Sequence, residues 1–252
     1  MRKILLVASV VSLPGYAVAT APSPEPDRHE LLQTAIEQRL DSVFHHSSLA
    51  YLTPVRRHLT DDDYLRAAEE TGTDVPSIKA IVEIEAGKTH MGITPSGVPV
   101  VNFDVAMFRR RAAKAGIDLK KVQRNHPEVF APLDVIRHGS ISDAQYARYL
   151  AACEIDSGLA AECTFWGMFQ IGGFNWAKCG AESVSDFVRL MSRSEADQLA
   201  LFVNFLRNGK MLDSIRNHRW DAFARQYNGP RYKSRGYHTR LASAYNKYNK
   251  KK

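Results

Sequence analysis

Two glutamates stand two residues apart in Val82-Glu83-Ile84-Glu85-Ala86-Gly87. A side-chain carboxyl can give or take a proton in a reaction when its surroundings bring its acidity close to the working pH. Residues 77–86 carry apolar side chains at helical spacing. At about 100° per residue, Glu85 falls ~20° from Ile78, ~40° from Ile81 and ~60° from Val82, inside the apolar stripe. Glu83 falls ~160° away, four residues after Lys79, where the two can pair on a solvent face. Glu83 is therefore expected at the surface. Glu85 is expected in the last turn of a helix, aimed at apolar surroundings. Burial raises a carboxyl's pKa, and the negative end of the helix dipole pushes the same way. A carboxyl held protonated near neutral pH suits general acid catalysis, as in protonation of a glycosidic oxygen. The same placement also fits a buried glutamate satisfied by a salt bridge, so helical phase alone does not decide.

Other reactive residue types are sparse. Cys153, Cys163 and Cys179 match no usual zinc spacing, and no histidine motif accompanies them. No metal site and no cofactor are expected. An oxidising compartment would permit a disulfide, for which Cys153–Cys163 is the shortest pairing, with one thiol left over.

The elements that must hold Glu85 read as mostly α. Thr60-Asp61-Asp62-Asp63 forms a capping box at the start of one helix, and Gly72 is its natural stop. The Glu85 helix runs over 75–86, and Gly87 can end it. In residues 88–103, Gly92, Pro95, Gly97 and Pro99 punctuate short runs, which predicts a small β-hairpin or loop region. From Asp104 the chain turns helical, with Met107, Phe108 and Ala112 on one side. Further helical pieces fall at 142–156, 164–171, 183–192, 194–208, 218–226 and 237–248. No internal repeat is present. One domain is expected over 60–248, with a basic tail at 249–252.

The first 59 residues differ. Arg2 and Lys3, the apolar run 4–12, the break at Leu13-Pro14-Gly15 and two A-x-A sites ending at Ala19 and Ala21 have the layout of a cleavable secretory signal over 1–21. The apolar run is far short of the ~20 residues that span a bilayer, so no stable membrane insertion is expected. Residues 22–28 are proline-rich and read as a linker; residues 28–44 form an amphipathic helix pattern with no partner evident in the sequence. Loss of residues 1–21 lowers the formal charge from +7 to +5. A basic exported protein is drawn to polyanionic wall surfaces. The export layout and the lack of a nucleic-acid motif argue against a nucleic-acid partner. The expected location is periplasmic or extracellular.

The core Trp166-Gly167-Met168-Phe169-Gln170-Ile171 resembles the W-G-L-F-Q-I segment of the peptidoglycan N-acetylmuramidases found in phage endolysins and exported bacterial enzymes. The resemblance continues through Cys179-Gly180, Met191-Ser192-Arg193-Ser194-Glu195 with Gln198, Leu199 and Phe202 after it, Trp220-Asp221-Ala222-Phe223-Ala224, Tyr227-Asn228-Gly229-Pro230 and Tyr237-His238-Thr239-Arg240-Leu241. Upstream, Val82 to Gly87 is similar to the family's V-E-x-E-[SA]-G segment, whose second glutamate is the catalytic acid and falls on Glu85. The resemblance implies a lysozyme-like α+β fold and cleavage of the β-1,4 bond between N-acetylmuramic acid and N-acetylglucosamine. Trp166 and Phe174 can then offer flat faces to sugar rings, with Tyr227 presented by a turn, and Gln170, Asn175 and Asn228 can hydrogen-bond N-acetyl and hydroxyl groups. Gly167, Gly172 and Gly173 would let backbone approach substrate. Each aromatic can instead be core. For a second carboxylate, Asp104 is the candidate, although it also begins a helix as an ordinary N-cap. Glu154 and Asp156 are weaker candidates, and a positioned water could replace them all. A lytic transglycosylase and a non-catalytic wall-binding protein are the competing functions.

Overall fold

The computed structural model describes residues 58–87 and 91–250. The leader, the linker, the 28–44 helix and the last two lysines lie outside the described residues.

The chain opens on α1 (Asp61–Thr71), whose capping box joins Thr60 and Asp63 through contacts of 2.7 and 2.8 Å. Gly72, left-handed at φ 62°, ends it. Asp74 then caps α2 (Val75–Glu85) by accepting from the Ser77 amide at 2.7 Å, with Pro76 preset in the first turn. Ile78, Ile81 and Val82 of α2 are buried, as the periodicity requires. Next come β1 (Val101–Phe103), α3 (Val105–Lys114), α4 (Leu119–Asn125), α5 (Pro127–Phe130), α6 (Val135–His138), α7 (Ile141–Cys153) and α8 (Ser157–Glu162). A hairpin of β2 (Thr164–Trp166) and β3 (Ile171–Gly172) leads through a 3-10 turn (Gly173–Asn175) to α9 (Val184–Arg193), α10 (Glu195–Asn208), α11 (Leu212–Arg216), α12 (Trp220–Asn228) and α13 (Tyr237–Asn249). The mostly α fold with a small β element is as the sequence predicts.

The β element is larger than that expectation. Residues 91–103 supply the expected hairpin or loop, closed by an isolated antiparallel bridge between Ile93 and Pro99, and β1. A second hairpin lies at 164–172, where apolar spacing suggests a helix, and the sheet order is β1-β2-β3, antiparallel, with Val101 opposite Trp166 and Trp166 opposite Ile171. Backbone conformation decides this. Gly167 and Gln170 are both left-handed, at φ 68° and 48°, which no helix accommodates. The Gln170 side chain donates to the Gly167 carbonyl at 2.9 Å and holds the turn shut. Trp166, Phe169 and Ile171 fit either period, and the two strands are too short for alternation to show.

The core gathers on this hairpin. Trp166 is fully buried, edge-on to Tyr149 at 4.8 Å and to Phe187 at 6.4 Å. Phe169 stacks on Phe202 at 4.0 Å, and Phe202 meets the Tyr227 ring edge-on at 5.6 Å. The three cysteines are buried free thiols, so no Cys153–Cys163 disulfide forms. Among the described residues no cluster of histidine, cysteine and acidic groups suits a metal. No described helix is long and apolar enough to cross a membrane.

Candidate active site

Glu85 is the last residue of α2, and its side chain is half-buried. Burial pushes its carboxyl up to about 7, against weaker opposite pulls from the Asn228 amide and the Arg240 guanidinium. Asn228 ends α12 and donates to Glu85 Oε1 over a long 3.5 Å. Beside it, the Tyr227 hydroxyl donates to the Phe169 carbonyl at 2.8 Å, which ties α12 to the hairpin turn. The Tyr227 phenol is pushed well above its ordinary range, first by burial and then by the charge of Glu85. Glu85, Asn228 and Tyr227 thus converge, although 143 residues separate Glu85 from Asn228.

Glu83 has a different fate from its neighbour. It accepts from Lys247 at 2.6 Å and from the Tyr248 hydroxyl at 2.5 Å, both on α13. Lys79, its expected partner, reaches Asp61 at 2.7 Å. Glu83 therefore fastens α2 to α13.

The remaining sequence candidates divide. Gln170 uses an amide N–H to staple its own turn. Trp166 cannot serve as a sugar platform in this arrangement: its ring is enclosed and its indole N–H donates to the Ala161 carbonyl at 3.0 Å. Phe174 is 40% exposed, edge-on to Phe165, with the Arg111 guanidinium 5.4 Å from its ring centre. Asn175 is half-buried in the 3-10 turn. Asp104 caps α3, accepting from the Met107 amide at 2.8 Å, and its own amide donates to the Cys163 carbonyl at 2.9 Å. Asp156 likewise caps α8, accepting from Leu159 at 2.8 Å. These carboxylates serve helix starts, and no hydrogen bond joins either of them to Glu85 among the described residues.

The glycines also have a different task. A Cβ on Gly167 would lie 2.6 Å from Gln198 Oε1, and one on Gly173 would lie 2.0 Å from the Ala161 carbonyl. A Cβ on Gly172 would meet the Phe174 ring at 2.3 Å. They make room for the protein's own packing, and not for substrate.

Sequence reasoning missed the clamp that frames this site. Gln198 on α10 is fully buried; its carbonyl accepts from the Met168 amide at 2.9 Å, and its amide donates to the carbonyls of Gly92 at 3.0 Å and Met191 at 2.8 Å. Glu195, also buried, accepts from the Gly92 amide at 2.6 Å, and burial raises its carboxyl above the usual range. One side-chain pair therefore holds both the loop that follows Glu85 and the turn that Tyr227 touches. Glu195 and Gln198 do fall within the motifs that carry the family resemblance, and they stand one turn apart on an otherwise apolar helix face, but neither signal says what they hold.

Known proteins of similar sequence and structure fix the family. The crystal structure of Burkholderia AP3 phage endolysin is similar at 36% identity with a TM-score of 0.64, over 77% of this chain and 72% of that one. No curated protein matches the chain. The sequence model of the N-acetylmuramidase family matches residues 74–249. That span holds Glu85, the hairpin, the clamp and Asn228, so the chain belongs to the N-acetylmuramidase family and is a lysozyme-type glycoside hydrolase of peptidoglycan.

Proposed function

We propose that this protein cleaves the β-1,4 bond between N-acetylmuramic acid and N-acetylglucosamine with Glu85 as general acid, and that it does so outside the cytoplasm. The observation that carries the reading is the Glu85 carboxyl itself, half-buried at the end of α2 beside Asn228 and raised to about 7. In that state it holds a proton near neutral pH and can give it to the leaving glycosidic oxygen. The bond from that oxygen to the muramyl C1 then breaks through an oxocarbenium-like state, which leaves Glu85 as a carboxylate. Asn228 and Arg240 favour that carboxylate. Water adds at C1 and returns its proton to Glu85. Because Asp104 is occupied as a helix cap, the attacking group in this reading is a water held by polar side chains. Phe174, Asn175 and Gln170 are proposed as substrate contacts along the hairpin side.

Glu85→Gln tests the acid. The folded variant should lose about 10³-fold in release of soluble fragments from sacculi, within the usual range for general acid catalysis. Release at the wild-type rate would overturn the assignment. With Asp104 taken up as a helix cap, Glu85 is the one assigned catalytic group, which also fits one alternative, a lytic transglycosylase, in which the muramyl 6-hydroxyl takes the place of water. Mass spectrometry separates the two, since 1,6-anhydro ends mark the transglycosylase and reducing ends the hydrolase.

A further inference from the structure

The first turn of α13, which packs against both α12 and α2, carries a cation on the side of the molecule where Asn228 meets Glu85. Arg240 is exposed, and its guanidinium lies 5.4 Å from the centre of the Tyr237 ring, which holds the group to one side of the helix. Helix α13 packs along α2, and the field of Arg240 reaches Glu85. The acids nearby are already engaged: Glu83 with Lys247 and Tyr248, Asp221 with Tyr232 and Lys233. Among the described residues no carboxylate forms an ion pair with Arg240. The segment from Asn228 to Arg240 also exposes Arg231 and Arg235.

An unpaired guanidinium beside a general acid works against the acid, because it favours the ionised carboxylate. The conflict disappears if the substrate itself brings an anion to the arginine. In wall glycan the lactyl carboxyl of each muramyl unit is consumed in its amide bond to the peptide stem, so the negative charge sits on the carboxylates of the stem. A planar guanidinium presents paired N–H donors that match a carboxylate in geometry. We propose that Arg240 is a specificity-determining residue that binds a carboxylate of the peptide stem next to the scissile bond. The proposal rests on Glu85 being the muramidase acid. Once a stem carboxylate sits on Arg240, the pull of the arginine on Glu85 weakens, and the acid keeps its proton better in the complex than in the free enzyme. Uncharged N-acetylated glycans offer no such group and would leave the pull in place.

The test compares initial release rates, at low substrate, from native sacculi and from the same sacculi whose stem carboxyls have been converted to amides with carbodiimide and ammonia. The wild-type protein should prefer native sacculi by about tenfold, the factor that corresponds to one charge-assisted contact. In Arg240→Gln that preference should fall to about twofold or less, while Arg240→Lys should keep most of it, since the charge remains. Lys114→Gln, which removes an exposed cation from α3, should keep the full wild-type preference and so separates a local contact from general attraction to the wall. A wild-type protein indifferent to amidation, or an Arg240→Gln variant with the wild-type preference, overturns the proposal. So does an equal fall on both substrates, which would mark a merely structural arginine. A wild-type protein that releases nothing from either substrate overturns instead the muramidase reading beneath it.

Discussion

At the residue scale, Glu85 ties stability and activity to pH in the same direction. Its carboxyl titrates near 4.5 in the unfolded chain and near 7 in the folded protein. The folded state thus holds the proton more tightly, and stability falls as pH rises through that window. Below about 4.5 no cost remains. Above 7 the cost of an ionised, half-buried carboxylate reaches an upper bound of about 3 kcal/mol. Glu85→Gln, which mimics the protonated form, should therefore be more stable than the wild-type protein at pH 8 and equal to it near pH 4. Urea melts at both values check this. In the wild-type enzyme, kcat/KM should decline on the alkaline side with an apparent pKa of about 7. For Asp104 the expectation follows from its cap. Asp104→Asn preserves the acceptor and should keep activity, whereas Asp104→Ala should lose about 1 kcal/mol of stability. Helical phase was enough to distinguish Glu85 from Glu83, because 11 consecutive residues of α2 share one apolar stripe. It could not separate an exposed Trp166 from a buried one, since burial of that ring is decided by Tyr149 and Phe187 from distant helices.

At the element scale, α2 was legible because its start and stop are local. Asp74, Pro76 and Gly87 mark its ends within the chain itself. The hairpin at 164–172 was not, because its conformation rests on two left-handed residues and on pairing with β1 some 60 residues earlier. The clamp from α10 was hidden for the same reason. It can be tested through the room it leaves. A Cβ at Gly92 would fall 2.0 Å from Gln198 Oε1, and the Gln198 amide cannot yield without breaking its bonds to Met168, Gly92 and Met191. Gly92→Ala should lose roughly 2 kcal/mol of stability, the scale of a buried polar group left without its partner. It should also lower kcat more than it raises KM, as a shift of the segment leaving Glu85 would dictate. Combined with Gln198→Ala, which vacates the space, the loss should be less than additive, and denaturant melts with steady-state kinetics on the double variant decide it.

At the scale of the whole molecule, the matched span of residues 74–249 leaves a long N-terminal stretch that the family does not account for. If export is correct, intact mass of the protein recovered from outside the cytoplasm should correspond to cleavage after Ala19 or Ala21. Recovery of the full 252-residue chain there would count against a cleaved signal. An order of short motifs was enough to indicate the family, since each motif is local in the chain. Partners across the fold were not legible, because Gly92 meets Glu195 and Gln198 only over 103 and 106 residues of chain. That spacing has a consequence for timing. Contacts of such long range are slow to form, because loop closure costs entropy before they stabilise anything. A nascent or half-threaded chain that has delivered Glu85 but not α10 and α12 carries that carboxyl fully hydrated, ionised at neutral pH and unable to donate a proton. An incomplete chain is therefore expected to be inactive, and the acid becomes competent only when the last helices arrive.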